Sequence, residues 1–169
     1  QLYIDYHDKE WGVPVYDDHK LFEMLILESF QAGLSWECVL NKREAFREAF
    51  DGFDVYKISA YDENKQAQLK ENERIIRNQR KILAAVTNAQ IFLKIQEEYG
   101  SFSNYLWQFT ENEVIYETGK TSSELSDKIS KDLKKRGMKF VGTTIIYSYL
   151  QAVGVIYSHE KGCFLWKKK

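Results

Sequence analysis

The stretch Leu133-Lys134-Lys135-Arg136-Gly137-Met138-Lys139-Phe140-Val141-Gly142-Thr143-Thr144 decides how this chain folds. Upstream of it, Leu125, Ile129 and Leu133 recur at helical spacing behind Ser122 or Ser123, either of which can cap a helix. Downstream, Thr143 to Val153 reads as a second helix, stopped by Gly154. The connection from Gly137 to Gly142 has glycine at both ends. Glycine lets backbone turn tightly and approach a partner closely. The second helix opens with unbonded N–H groups at its positive end, which suits a phosphate. Lys128, Lys131, Lys134, Lys135, Arg136 and Lys139 lead into this turn with only Asp132 against them. Such a stripe can follow a phosphate backbone. It also describes a solvated helix face on an ordinary αα-hairpin, and spacing alone leaves both readings open.

Working outward, the helical period covers most of the chain, and Pro14 is the only proline. Asp17 or Asp18 can cap a helix running to about Ala32, and Ser35 can cap another with Trp36, Val39, Leu40, Phe46 and Phe50 in one stripe. Residues 54–70 read as one or two short helices. A longer one lies within 75–99, with Ile82, Leu83, Val86, Phe92 and Leu93 inward and Gly100 as its stop. Ser101 begins a short helix carrying Phe102, Tyr105, Leu106 and Phe109. Residues 1–16 are aromatic and irregular, and residues 111–120 fit a loop or short hairpin. The predicted architecture is all-α, one domain over 1–169 or two small lobes sharing a core.

A hydrophobic fraction of 44% can bury such a core, and 15% aromatic residues leave rings available for stacking on a ligand. The net charge of −1 announces no nucleic-acid partner, so any such role rests on the local lysine stripe. Two cysteines, Cys38 and Cys163, make no disulfide framework, and Cys38 reads as a small core residue. No targeting peptide and no apolar run of membrane length is present. The expectation is a soluble, cytoplasmic monomer with no membrane partner. The chain opens at Gln1 rather than methionine, so natural residues are expected before it.

The chemistry concentrates around one acid. Glu28 lies seven, four and three residues after Leu21, Met24 and Leu25, on the apolar face of their helix. A carboxylate there is costly unless paired or protonated. Gly33-Leu34-Ser35-Trp36 follows, a glycine break with an aromatic beyond it. This fits a ligand pocket, with Tyr6, Trp11 and Trp36 as candidate stacking rings. It also fits a rim glutamate paired with Lys or Arg, among aromatics that merely pack. At the far end, His159 and Cys163 are spaced like a zinc half-site, and His7 offers a third ligand. A closed site needs a fourth, and neither Cys38 nor His19 is well placed. Unliganded surface residues are the alternative.

Together these segments resemble the 3-methyladenine-DNA glycosylase I family. The residues that carry the resemblance are Tyr6-His7-Asp8-Lys9-Glu10-Trp11-Gly12-Val13-Pro14, Leu21-Phe22-Glu23-Met24, Leu27-Glu28, Gln31-Ala32-Gly33-Leu34-Ser35-Trp36, Ile75-Ile76-Arg77, Leu133 to Thr144, and His159 to Cys163. They stand in family order through nearly the whole chain. The resemblance implies a helix–hairpin–helix glycosylase that flips a damaged nucleotide from duplex DNA and hydrolyses its N-glycosidic bond. It implies that Glu28, Tyr6 and Trp36 line the base pocket with Trp11 in support, and that free 3-methyladenine is the product. Gln31, Gly33 and Leu34 would enter the duplex, and Gly137, Lys139, Gly142 and Thr143 would hold phosphates. His7, His159 and Cys163 match three of four structural zinc ligands joining the terminal segments. The fourth is a cysteine upstream of Gln1, as is a further pocket tryptophan.

Many helix–hairpin–helix glycosylases carry an aspartate shortly after the hairpin. Here Gly142 to Gly162 contains one acid, Glu160. N3-methylated adenine is cationic while attached to the sugar and leaves as a neutral molecule, so less catalytic help is needed. Two other classes stay in view: a non-catalytic, zinc-stabilised module that binds DNA damage, and a nucleobase binder that uses the pocket without DNA.

Overall fold

The structure is a computed structural model and describes residues 1–159. The α-helices among them are α1 Leu2–Lys9, α2 Asp18–Gln31, α3 Trp36–Asn41, α4 Arg43–Ala49, α5 Val55–Ser59, α6 Glu63–Glu71, α7 Gln79–Tyr99, α8 Phe102–Gln108, α9 Glu124–Lys135 and α10 Thr143–Ala152. Helix α2 is the centre. Every residue from Leu21 to Phe30 is buried, so it has no polar face along that run. Phe22 packs on Phe92 of α7, and Phe30 on Phe46 and Phe50 around α4. Tyr149 of α10 donates to the Leu21 carbonyl at 2.8 Å, a buried hydrogen bond between the two helices. One continuous apolar cluster joins these elements.

Side-chain caps start most helices where the sequence places them. Asp17, Ser35, Asp54, Asp62, Asn78, Ser101 and Ser123 each accept from a backbone N–H in the first turn that follows. Helix α10 differs: its N-cap is Gly142, with no side-chain cap.

Several sequence expectations change. Residues 2–9 are helical rather than irregular. Tyr6 is the only buried residue of α1, so no apolar stripe marks it. The stripe from Trp36 to Phe50 breaks at Lys42 (φ −101°, ψ 1°) into α3 and α4. Residues 111–120 form no hairpin. Their strand β1, Ile115–Tyr116, pairs in parallel with the distant β2, Ile156–Tyr157. Leu83 points to solvent at 52% exposure, because the inward face of α7 is shared with two polar residues, Lys81 and Asn88. Cys38 is half-buried rather than a core residue, since the short α3 buries Val39 and Leu40 instead. Among the described residues no helix is long and apolar enough to cross a membrane.

Candidate functional site

Helix α2 carries two buried glutamates in contrasting environments. Glu23 accepts from Arg43 Nε at 3.2 Å and Arg47 Nε at 2.7 Å. Burial alone would raise its pKa, but the two guanidinium groups hold it below the usual carboxylate value. Among the described residues Glu28, 3% exposed, has no cation beside it, and its Oε2 has no hydrogen-bond partner. Burial pushes its pKa up to about 8. The alternative of Glu28 as a rim glutamate paired with Lys or Arg is not met: Glu28 is buried, and the acid that pairs with arginine is the equally buried Glu23.

Two more unsatisfied polar atoms are the Tyr6 hydroxyl and the Trp36 indole Nε1. The rings of Tyr6 and Trp36 lie 5.5 Å apart, tilted by 50°. Tyr6 has its pKa raised, first by burial and then by the Glu28 carboxylate. The rings come from α1 and α3, and an ion-pair cluster pins α1 to its neighbours. Glu10, just after α1, accepts from Arg43 Nη1 at 2.9 and 3.0 Å, and Arg43 also reaches Glu23. Buried polar groups left without partners are rare and costly. Two rings, a protonatable carboxylate and two donors without partners are what the edge and face of a flat heterocycle would complete.

Trp11 stands differently. Its ring stacks on His7 (centroids 5.7 Å apart, 17°) and meets His159 edge-on at 4.9 Å. The imidazoles of His7 and His159 are 4.8 Å apart. His7 Nδ1 pairs with Asp8 at 2.9 Å, and His159 Nε2 with the Trp11 carbonyl at 3.1 Å. A ring nitrogen oriented by an oxygen is the usual support for a metal-ligating histidine. A Cβ on Gly12 would approach His159 Nε2 to 3.3 Å, so glycine gives this ring its room. Cys163 lies outside the described residues, among which no group of three metal-ligating side chains gathers.

Beyond α2 the chain makes a tight projecting turn. Gln31 Nε2 donates to the Leu34 carbonyl and Leu34 N to the Gln31 carbonyl, each at 2.7 Å. Gly33 has φ +80°, which favours glycine, and Leu34 is an exposed leucine at the tip. Of the two glycines at the other turn, only Gly137 uses a positive φ, at +105°. Gly142 is extended at φ −60°, and a Cβ there would meet nothing within 4 Å. The expectation that both glycines serve the turn is therefore corrected: Phe140 takes the left-handed position (φ 55°), and Gly142 keeps the α10 N-terminus open. Thr143's hydroxyl donates to Asp127 at 2.6 Å and sits 2.7 Å from Ser126 Oγ, leaving its backbone N–H for an anion.

A model of the methyladenine glycosylase family matches residues 1–166 of this sequence. The chain belongs to that family. It is 46% identical to DNA-3-methyladenine glycosylase 1 of Escherichia coli (strain K12) over 168 residues, 96% of this chain and 90% of that protein. It superposes on 3-methyladenine DNA glycosylase I of Staphylococcus aureus with a TM-score of 0.95 at 37% identity, covering 99% of this chain and 93% of that one. A variant of 3-methyladenine DNA glycosylase I solved in complex with 3-methyladenine superposes with a TM-score of 0.93 at 37% identity, covering 96% and 91%.

Sequence reading of this glycosylase missed two residues of α7 that support both turns. Lys81, 8% exposed, donates to the Phe30 and Ala32 carbonyls at 2.9 and 2.8 Å. Asn88, fully buried, donates to the Lys139 carbonyl at 2.9 Å and accepts from Lys139 N at 2.8 Å. The signal was present. Lys81, Ala85, Asn88, Phe92 and Ile95 share one buried face at helical spacing, the same argument that singles out Glu28.

Proposed function

We propose that this chain is a monofunctional base-excision repair glycosylase that releases 3-methyladenine from alkylated duplex DNA. The observation that carries this reading is the set of unpartnered polar atoms, Tyr6 Oη, Glu28 Oε2 and Trp36 Nε1, under adjoining rings. The extruded base stacks on Tyr6 and Trp36, and Glu28 hydrogen-bonds the adenine edge. A site built of polar partners rejects analogues that leave them unmet. Cleavage breaks the C1′–N9 bond, and the bonding pair neutralises the cationic base as it leaves. Water adds its oxygen to C1′ and loses a proton. The protein contributes extrusion, orientation and electrostatics.

Gln31, Gly33 and Leu34 enter the duplex, with the exposed Leu34 filling the gap left by the base. The helix–hairpin–helix unit of α9 and α10 holds phosphates through Gly137, Lys139, Gly142 and the Thr143 N–H, where α10 begins without a side-chain cap. Trp11 supports the pocket from the histidine side. His7 and His159, with Cys163, would hold a structural zinc tying the N- and C-terminal segments. The enzyme acts as a cytoplasmic monomer. Incubation with methylated duplex and chromatography of the released bases tests the reading. Selective release of 3-methyladenine is expected, with no protein trapped on DNA by borohydride. Duplex binding without base release would overturn it.

A further inference from the structure

Helix α7 supplies none of the base-pocket or proposed phosphate-holding residues, yet it bonds to the backbone beside the first and to the Lys139 backbone within the second. Near its N-terminus, the Lys81 ammonium grips two carbonyls at the end of α2, Phe30 and Ala32. Those carbonyls stand on either side of Gln31, where the duplex-entering turn begins. Two helical turns later, Asn88 closes a two-way amide clamp on Lys139, in the middle of the hairpin. A separation of seven residues puts both side chains on one face, ~10 Å apart along the axis. Ser130 makes a parallel contact, donating to the Val141 carbonyl at 2.6 Å, so the hairpin is held from α7 and α9 together.

We infer that α7 is a gauge: Lys81 and Asn88 are positioning residues that fix the distance between the turn entering the duplex and the hairpin holding its backbone. The inference rests on the proposed glycosylase reading. Flipping needs both elements engaged on one duplex at once, because the turn fills the stack while the hairpin fixes the strand. A single rigid helix gripping both by main-chain hydrogen bonds sets that spacing before DNA arrives. Lysine suits the first grip, since an ammonium has three donors for two carbonyls. Asparagine suits the second, since one amide matches both the N–H and the C=O of a peptide. Neither side chain is exposed enough to meet DNA itself. Both act through the elements they hold.

The test compares three readouts: single-turnover release of 3-methyladenine from methylated duplex, affinity for free 3-methyladenine, and Tm. Lys81→Met and Asn88→Ala are each expected to slow release from duplex about 10- to 100-fold, the scale of an ångström-sized misplacement. Free-base affinity should stay within about twofold, because the pocket is not touched. The double variant should be little slower than either single variant, since a gauge fails when either end is lost. Lys81→Arg, which restores donors, should recover most of the rate. Equal losses in duplex release and free-base affinity, or undiminished release in either single variant, would overturn the inference. A wild-type protein that releases no 3-methyladenine would instead sink the glycosylase reading, so the two failures are distinct.

Discussion

Glu23 and Glu28 sit on one helix, equally buried, and differ only in what stands beside them. Two arginines hold Glu23 ionised, whereas nothing of opposite charge among the described residues reaches Glu28, whose pKa rises to about 8. This has a consequence for stability. The unfolded Glu28 ionises near pH 4.5, while the folded one keeps its proton to about pH 8. Between those values the unfolded state binds fewer protons, so the Glu28 contribution to stability falls as pH rises, then levels off. A Glu28→Gln protein carries no such penalty. Melting curves from pH 5 to 9 should show the variant gaining on wild type toward pH 8, at about 1.4 kcal/mol for each pH unit across the interval. A constant difference across that range would contradict the buried, unpaired acid. The sequence showed that Glu28 was misplaced. It did not show which glutamate was paired, because Arg43 meets Glu23 only through the fold.

At the scale of elements, the lysine stripe of α9 divides. Lys128, Lys131, Lys134, Lys135 and Lys139 are exposed, but Arg136 is not part of that surface. Its guanidinium pairs with Asp132 at 2.8 Å and Glu98 at 2.7 Å, and lies against the rings of Tyr99 and Tyr105. Asp132 also accepts from the Tyr105 hydroxyl at 2.6 Å, so the one acid in the stripe faces the protein. The two kinds of cation should separate cleanly. Lys139→Gln should lower the slope of log duplex affinity against log salt by about 1 with Tm unchanged. Arg136→Met should leave that slope intact and cost about 1–3 kcal/mol of stability. Salt titrations and melting of both variants check this, and exchanged phenotypes would contradict it. Spacing could not divide the stripe, since helical period places Arg136 beside the lysines and only the packing of α7 and α8 against α9 turns it inward. The caps at Asp17, Ser35, Ser101 and Ser123 were legible for a different reason: each is a local contact between residues three apart.

Across the whole molecule, the two ends of the described residues meet. Val15 N donates to the Val153 carbonyl and Gly12 N to the Gln151 carbonyl, bonding the segment after α1 to the end of α10. Gly154 makes that crossing possible. It has φ +75°, and a Cβ there would sit 2.3 Å from Pro14 N and from Val13 C. Backbone on both sides cannot yield cheaply, so Gly154→Ala should destabilise by more than about 3 kcal/mol, lowering Tm by roughly 6–12 °C. Near-wild-type melting would show that the terminal segments do not pack this way. In sequence Gly154 looked only like a helix stop, and β1 and β2 left no pattern, because two-residue strands from distant segments have no period to read. The meeting of the ends also brings His7 to His159, which spacing alone could propose but not join. The central claim, that this assembled fold recognises an alkylated base through Glu28, is tested most directly by titrating free 3-methyladenine into wild type and Glu28→Gln in a calorimeter. Saturable binding is expected, tighter than for adenine and weakened about 10- to 100-fold in the variant, the scale of a buried polar group left without its match. Equal affinity in the two proteins would contradict the account.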